Sequence, residues 1–96
     1  MNRDMPTLPP DVVPYKRTKS FTECTVPQGL LADHQTKVGT WGVISVEEGV
    51  LLYRISEPGH KGVHKLSPEV QGIVHPQHKH HIELQGAVRF YVEFYQ

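Results

Sequence analysis

The chain has a single cysteine, Cys24, among its 96 residues. One cysteine excludes an internal disulfide and a cysteine-rich zinc site. The chain also has no run of about 20 apolar residues, so no transmembrane helix and no membrane partner are predicted. The first residues lack the apolar centre of a signal peptide. We therefore expect a reduced, cytoplasmic protein.

The chain has no excess of charge of one sign. Ten Lys and Arg residues balance ten Asp and Glu residues, and the basic residues are dispersed along the sequence. Nucleic-acid-binding domains instead gather basic residues into a patch or stripe, so no nucleic-acid partner is predicted. The length allows one small domain with one core. We expect an N-terminal arm over residues 1–14 and the folded domain over residues 15–96.

A sustained 3.6-residue apolar period is missing, and strand signals dominate instead. Short apolar runs recur about every 8–12 residues between Gly and Pro, which indicates an all-β barrel or sandwich. Residues 47–49 and 85–86 are interpreted as turns between strands. A half-buried strand is predicted at residues 20–26, with Cys24 facing the core.

The predicted core consists of apolar residues that alternate within these strands. Trp41 is out of step with that alternation, which predicts a bulge near Gly42. The full predicted set is Trp41, Ile44, Val46, Leu52, Val88, Phe90, Val92 and Phe94. On the last strand, the face opposite the core carries Glu93 with Arg89 and two tyrosines. Two interpretations of that face stay open: the wall of a polar pocket, or a surface in contact with solvent.

Three segments carry a family resemblance. They are "HQTKVGTWG", which contains His34 and Trp41, "PQHKHHIE", which contains His80, and "VRFYVEFY" near the end. Together they resemble the TehB/YeaR-like family, a small domain found at the N-terminus of tellurite-resistance TehB proteins and also alone. The resemblance implies a cupin-like double-stranded β-helix, that is, a jelly-roll barrel. Small barrels of this kind often pair through exposed strands, so a homodimer is predicted.

The resemblance does not carry an enzymatic activity with it. Long TehB proteins place a methyltransferase domain after this module. The 96 residues contain no βαβ unit and no Gly-x-Gly-x-x-Gly turn. Methyl transfer is therefore not predicted for this chain.

A metal site is predicted at His34, His80 and Glu93. The two histidines correspond to histidines of the family's signature blocks, and Glu93 lies on the closing strand. Two imidazoles and one carboxylate would form a facial triad for a divalent transition metal such as iron, zinc, manganese or nickel. In the alternative interpretation, carbonyl groups in a packed interior satisfy the histidines, and Glu93 pairs with Arg89 or Lys37.

The other histidines are weaker candidates. His75 is the reserve ligand, because the proline after it favours an extended backbone. Side chains alternate along a strand, so His81 is expected to leave by the face opposite His80. The remaining three are expected to be exposed: His60, His64 and His78.

Three functions stay open at this point. The favoured one is a metal-containing pocket that binds a small anion or metabolite in an oxyanion or stress response. The second is a metal-dependent oxygenase, isomerase or hydrolase, which would need a general acid or base beyond the metal ligands. The third is an interaction domain for a separate methyltransferase. Fold class does not decide among them, because barrels of this kind host many activities.

Overall fold

The protein is built from antiparallel strands in a computed structural model that describes residues 5–96. The predicted all-β class is confirmed, and residues 1–4 of the predicted arm lie outside the described residues. Among residues 5–96, no helix has the length and apolar character that crossing a membrane requires. The elements in chain order are β1 (Pro14–Arg17), β2 (Phe21–Thr22), α1 (Gln28–Leu31), β3 (Trp41–Ile55), β4 (Gly62–Leu66), β5 (Gly72–Val74) and β6 (His80–Tyr95).

Strands β3 and β6 form the centre of one sheet. They pair antiparallel along their length, from Trp41 opposite Tyr95 to Ile55 opposite His80. The C-terminal part of β6 also pairs with β1 and β2, while β3 pairs with β5 near its start and with β4 near its end. The order β1-β6-β3-β4 describes an open antiparallel sheet. The cupin-type double-stranded β-helix stays a prediction.

The two predicted turns in the middle of these strands are wrong. β3 continues through residues 47–49, and β6 continues through residues 85–86. The register of β3 against β6 shifts twice between Val46 and Leu51, and Gly49 has a φ of 82°. A β-bulge uses the same glycine with positive φ as a tight turn. The local sequence therefore signals an irregular backbone without showing whether the chain reverses.

These irregularities change which residues face the core. Before them, Ile44 and Val46 are buried, and after them Leu51 and Tyr53 are buried. One extra residue in a strand moves every later side chain to the other face. This is why Leu52, predicted to be in the core, is only half-buried.

One cluster of buried residues draws on both halves of β3 and β6. The buried members of the predicted core are Ile44, Val46, Val88, Phe90 and Val92. Phe94 is partly buried against this cluster, and Trp41 is half-buried. The bulge predicted near Gly42 is wrong, because Gly42 pairs with Val74 and Phe94 in regular register. A Cβ on Gly42 would lie 3.2 Å from the Cβ of Val74, so this glycine allows β5 to approach β3 closely.

Cys24 is exposed, so its predicted place in the core is wrong. The backbone N–H of Cys24 donates to Thr22 Oγ1 at 3.2 Å, and that of Thr22 donates to Thr25 Oγ1 at 2.8 Å. Threonine hydroxyls that bond to nearby backbone favour turns over strands. The strand therefore ends early, and Phe21 becomes its inward residue, with its ring 5.7 Å from that of Phe90.

Candidate functional site

The sheet lines a pocket of about 660 Å³. Its walls are largely apolar and include Ile44, Val74, Ile82, Phe90, Val92 and Phe94. The segments on both sides of α1 and part of β1 complete it. The polar residues that line it include Lys16, His34, Thr36, Lys37, Thr40 and His80. An apolar cavity with a few polar groups is the usual form of a small-molecule site.

His34 and His80 are brought together by the backbone. The N–H of each donates to the carbonyl oxygen of the other at 2.9 Å, which makes an isolated antiparallel bridge. Residues paired in this way project their side chains to the same side. Their ring centroids lie 4.2 Å apart with an angle of 58° between the ring planes. The structure thus brings together two of the three predicted site residues, which we call the histidine pair.

Each ring of the histidine pair is anchored through Nδ1. Nδ1 of His34 lies 3.0 Å from the carbonyl oxygen of Ala32, and Nδ1 of His80 lies 2.9 Å from that of His78. A carbonyl oxygen only accepts, so each Nδ1 donates its proton, and a neutral ring then keeps a lone pair on Nε2. Burial lowers the pKa of His80 to about 4, so its ring is neutral at pH 7.

Thr40 adds a buried hydroxyl to the pocket. The residue is 3% exposed, and its Oγ1 has no hydrogen-bond partner within the described part of the chain. A buried, unpaired hydroxyl costs about 1–3 kcal/mol. Thr40 was not predictable from the sequence, because one threonine between a glycine and a tryptophan carries no distinctive pattern.

Glu93 does not lie at the histidine pair. It is flanked on β6 by Val92 and Phe94, which line the pocket, so alternation places Glu93 on the opposite face. There its Oε1 accepts a hydrogen bond from the Tyr95 hydroxyl at 3.4 Å.

The geometry has a direct consequence for the predicted metal. Over residues 5–96, no group of three or more His, Cys, Asp or Glu side chains is arranged to hold a metal ion. Two imidazole nitrogens suit a divalent transition metal, but they fall short of the three protein ligands of a catalytic zinc site. The described residues therefore do not fit the three-ligand centre, and a metal at the histidine pair stays a prediction.

His81 joins two carboxylates on the face opposite His80. Its Nδ1 lies 2.8 Å from Asp33 Oδ1, and its Nε2 lies 2.9 Å from Glu83 Oε2. Arg54 reaches the same Glu83 carboxylate at 2.8 and 3.2 Å. The hydrogen bond to Glu83, and to a smaller extent the one to Asp33, raises the pKa of His81. Partial burial of the ring acts in the other direction and lowers this pKa. Because two carboxylates need two N–H donors, this arrangement favours the protonated ring.

Three other histidine rings form a stack outside the pocket. The centroid of His78 lies 4.0 Å from that of His75 and 4.4 Å from that of His60, with small angles between the planes. Burial, then the charges of His75 and His60, lower the pKa of His78. Nearly parallel rings direct their nitrogens side by side, so they do not converge on one metal ion. The reserve ligand His75 is in this stack, also 4.8 Å from the Trp41 ring.

Three predictions of exposure among the histidines have different outcomes. His60 is exposed as predicted, whereas His78 is half-buried against its neighbours in the stack. His64 was predicted to be exposed, and this is wrong: it is buried on β4, with its ring centroid 5.9 Å from that of Tyr53. Pairing of β4 with the end of β3 buries alternate residues of a segment that looks like a loop in the sequence.

Comparison with solved structures supports this fold. The crystal structure of TehB from Haemophilus influenzae matches with a TM-score of 0.81 and 29% identity, covering 90% of this chain and 32% of that one. A crystal structure of a protein from Escherichia coli strain K12 matches with a TM-score of 0.84 and 20% identity, covering 96% of this chain and 97% of the other. The second match shows the likeness of fold alone.

Sequence comparison identifies the family. Two curated relatives are named "Probable S-adenosyl-L-methionine-dependent methyltransferase TehB", from H. influenzae strains Rd and 10810. They are 36% and 34% identical over 76 residues, which cover 76% of this chain. The chain spans 27% of the length of these relatives. The family model described as the TehB-like domain matches residues 16–92. The predicted resemblance is therefore confirmed, and the chain belongs to the TehB-like domain family.

Proposed function

We propose that this domain binds a small metabolite in the pocket that contains the histidine pair. One observation carries the proposal: an apolar cavity is lined by two anchored imidazoles and by Thr40, whose buried hydroxyl has no partner among residues 5–96. Apolar walls supply affinity, and a few fixed polar groups supply orientation. The Nδ1 protons of both imidazoles are held by backbone carbonyls, which fixes the orientation of both rings.

Charge at the pocket supports a ligand that also carries an anionic group. Lys16 and Lys37 line the pocket and are exposed, so their ammonium groups are available to a carboxylate or an oxyanion. An inorganic oxyanion by itself would leave the apolar walls without contacts, so an organic molecule suits the cavity better. The resemblance to tellurite-resistance proteins supports a setting in oxyanion stress.

Nuclear magnetic resonance of the labelled chain tests this proposal. In a screen of small organic compounds, amide shifts are expected to cluster on residues that line the pocket. His34→Ala should weaken the binding of the hits, because His34 is half-buried and lines the cavity. His60→Ala, which removes an exposed histidine outside the pocket, is the matched control and should leave binding unchanged. Hits that map only outside the pocket would refute the proposal.

A second candidate is an interaction domain for a separate methyltransferase. The observation that favours it is the match to 27% of the length of proteins named as methyltransferases. We expect such a partner to be retained when the chain is purified from cell extract, and a purified methyltransferase added back to rebind. A chain that binds metabolites but no methyltransferase would support the first candidate over this one.

The homodimer is a further proposal about the same domain. Two exposed apolar side chains lie on strands at the ends of the sheet order, Tyr15 on β1 at 45% and Val63 on β4 at 49% exposure. Edge strands that carry apolar groups are common sites of pairing. Sedimentation at micromolar concentration should show a dimer, and a single species near 10.9 kDa would contradict it.

A further inference from the structure

We infer that the pocket selects a ligand that presents a neutral O–H or N–H donor to the histidine pair, the chemistry of a phenol or an alcohol. This inference rests on the proposed function and names the ligand class for the same site. It concerns the group that meets His34 and His80. A charged group elsewhere on the ligand would lie near Lys16 or Lys37.

Hydrogen bonds at Nδ1 fix the tautomer of both rings. Both Nδ1 atoms donate to backbone carbonyls, those of Ala32 and His78. Each neutral ring then has one nitrogen left, Nε2, and that nitrogen is an acceptor. A carboxylate has only lone pairs to offer, so it would face two acceptors without a proton between them. An O–H or N–H group supplies the missing proton.

The surroundings of the rings disfavour a charged imidazole at His80. This residue is 3% exposed, and an unpaired charge is costly in a buried place, so the neutral ring is favoured. A neutral ring does not supply the second N–H donor that an anion would need. Thr40 lines the same pocket, and its hydroxyl, which can both donate and accept, has no partner among the described residues.

The walls of the pocket suit an aromatic ring. Phe90 and Phe94 contribute aromatic rings, and Ile44 and Val74 contribute aliphatic groups. Aromatic rings pack on one another edge-to-face or in offset stacks. An aromatic ring with one hydroxyl combines an apolar body with a single donor, which is the complement of these walls and the histidine pair.

The experiment compares three probes of similar size: phenol, anisole and benzoate. Phenol has a donor, anisole has the oxygen without the proton, and benzoate is an anion. Titration of the full chain, followed by amide shifts of the pocket residues, gives the three affinities. We expect phenol to bind about tenfold more tightly than anisole. The carboxylate of benzoate should lie near Lys16 or Lys37, so benzoate should bind equally well to the wild type and to His34→Ala. His34→Ala should remove the preference for phenol, whereas His60→Ala should preserve it.

The possible results separate this inference from the proposed function. Equal binding of phenol and anisole in the pocket would overturn the inference and support the function. Tightest binding by benzoate, abolished in His34→Ala, would overturn it in favour of an anion at the rings. Stoichiometric zinc that stays bound to the protein in excess phenol would also overturn the inference. The metal would then occupy the Nε2 lone pairs of His34 and His80 that the donor needs. Failure of all three probes and of the compound screen would refute both.

Discussion

The backbone bridge between His34 and His80 also sets the neighbours of those residues side by side. Because the bridge is antiparallel, Asp33 lies next to His81, and their side chains meet at 2.8 Å on the face opposite the histidine pair. The segment that carries His34 is thus held to β6 by two backbone hydrogen bonds and by one ionic contact. The geometry of the pocket is therefore coupled to groups on both faces of the sheet.

Thr40→Val should stabilise the free domain and weaken ligand binding. Valine has nearly the same shape, but it removes a buried hydroxyl that has no partner in the described part of the chain. We expect the free energy of unfolding to rise by about 1 kcal/mol, as measured by urea denaturation. Thr7→Val, at an exposed position, should change neither stability nor binding. A less stable Thr40→Val domain would show that the hydroxyl is paired.

The low pKa of His80 predicts that the domain loses stability in mild acid. Burial lowers this pKa from 6.5 to about 4 in the folded state. Between these values the unfolded chain binds a proton that the folded chain does not, so stability falls as the pH falls through this window. The loss is on the order of 3 kcal/mol. Urea denaturation at pH 7, 5.5 and 4 measures it, and the slope should flatten in His80→Gln but not in His60→Gln.

His81 should have the opposite effect of pH. Its pKa is raised by Glu83 and Asp33, so its ionic contacts stabilise the fold below pH 6.5 and are lost as the pH rises through the raised value. His81→Gln is expected to be less stable than the wild type at pH 6, by up to about 1 kcal/mol, because the carboxylates are half-exposed. The difference should shrink at pH 9, and parallel pH profiles for both proteins would contradict this assignment.

Gly49→Ala should be more harmful than Gly59→Ala. Both glycines have a φ of 82°, which costs an alanine about 1 kcal/mol. At Gly49 an added Cβ would also collide with the carbonyl oxygen of Ala87, whereas at Gly59 it would meet nothing within 4 Å. The difference between the two variants in urea denaturation isolates the collision. Equal losses would show that the bulge in β3 can relax.

The predicted metal is tested by elemental analysis of protein purified without a histidine tag. With two imidazole ligands, we expect bound zinc or nickel to be lost on dialysis against a chelator. Affinity should also fall below about pH 6, since the neutral ring is the ligand. His78→Ala is the control for weak binding by the stack of His60, His75 and His78. Stoichiometric metal that survives chelation would show that further ligands complete a centre at His34 and His80.

The sequence predicted the strand class well and the backbone irregularities poorly. Between Val88 and Phe94, apolar residues alternate with polar ones, and this pattern correctly predicts which side chains face the core. The pattern works because side chains point to opposite faces of a strand in alternation. The same rule fails at Leu52, because the bulge after Val46 inserts a residue whose conformation depends on pairing with β6. Cys24 fails for another reason, since nearby threonine hydroxyls end the strand before it.

The candidate site was also predicted only in part. Family motifs in the sequence picked out His34 and His80, and alternation already put Glu93 on the face opposite Val92. The sequence could not show that Thr40 is buried or that Asp33 is a partner of His81, because these contacts join segments far apart in the chain.

The sequence by itself thus determined the all-β class, the family and the identity of the histidine pair, since local alternation or a short motif indicates each of them. Tertiary structure alone decided which face each half of β3 presents, where the hydroxyl of Thr40 lies and how the imidazoles are oriented. The physical reason is that pairing between β3 and β6, and the bridge from His34 to His80, fix backbone register over long separations. Register sets the face of every side chain, and no local pattern encodes it.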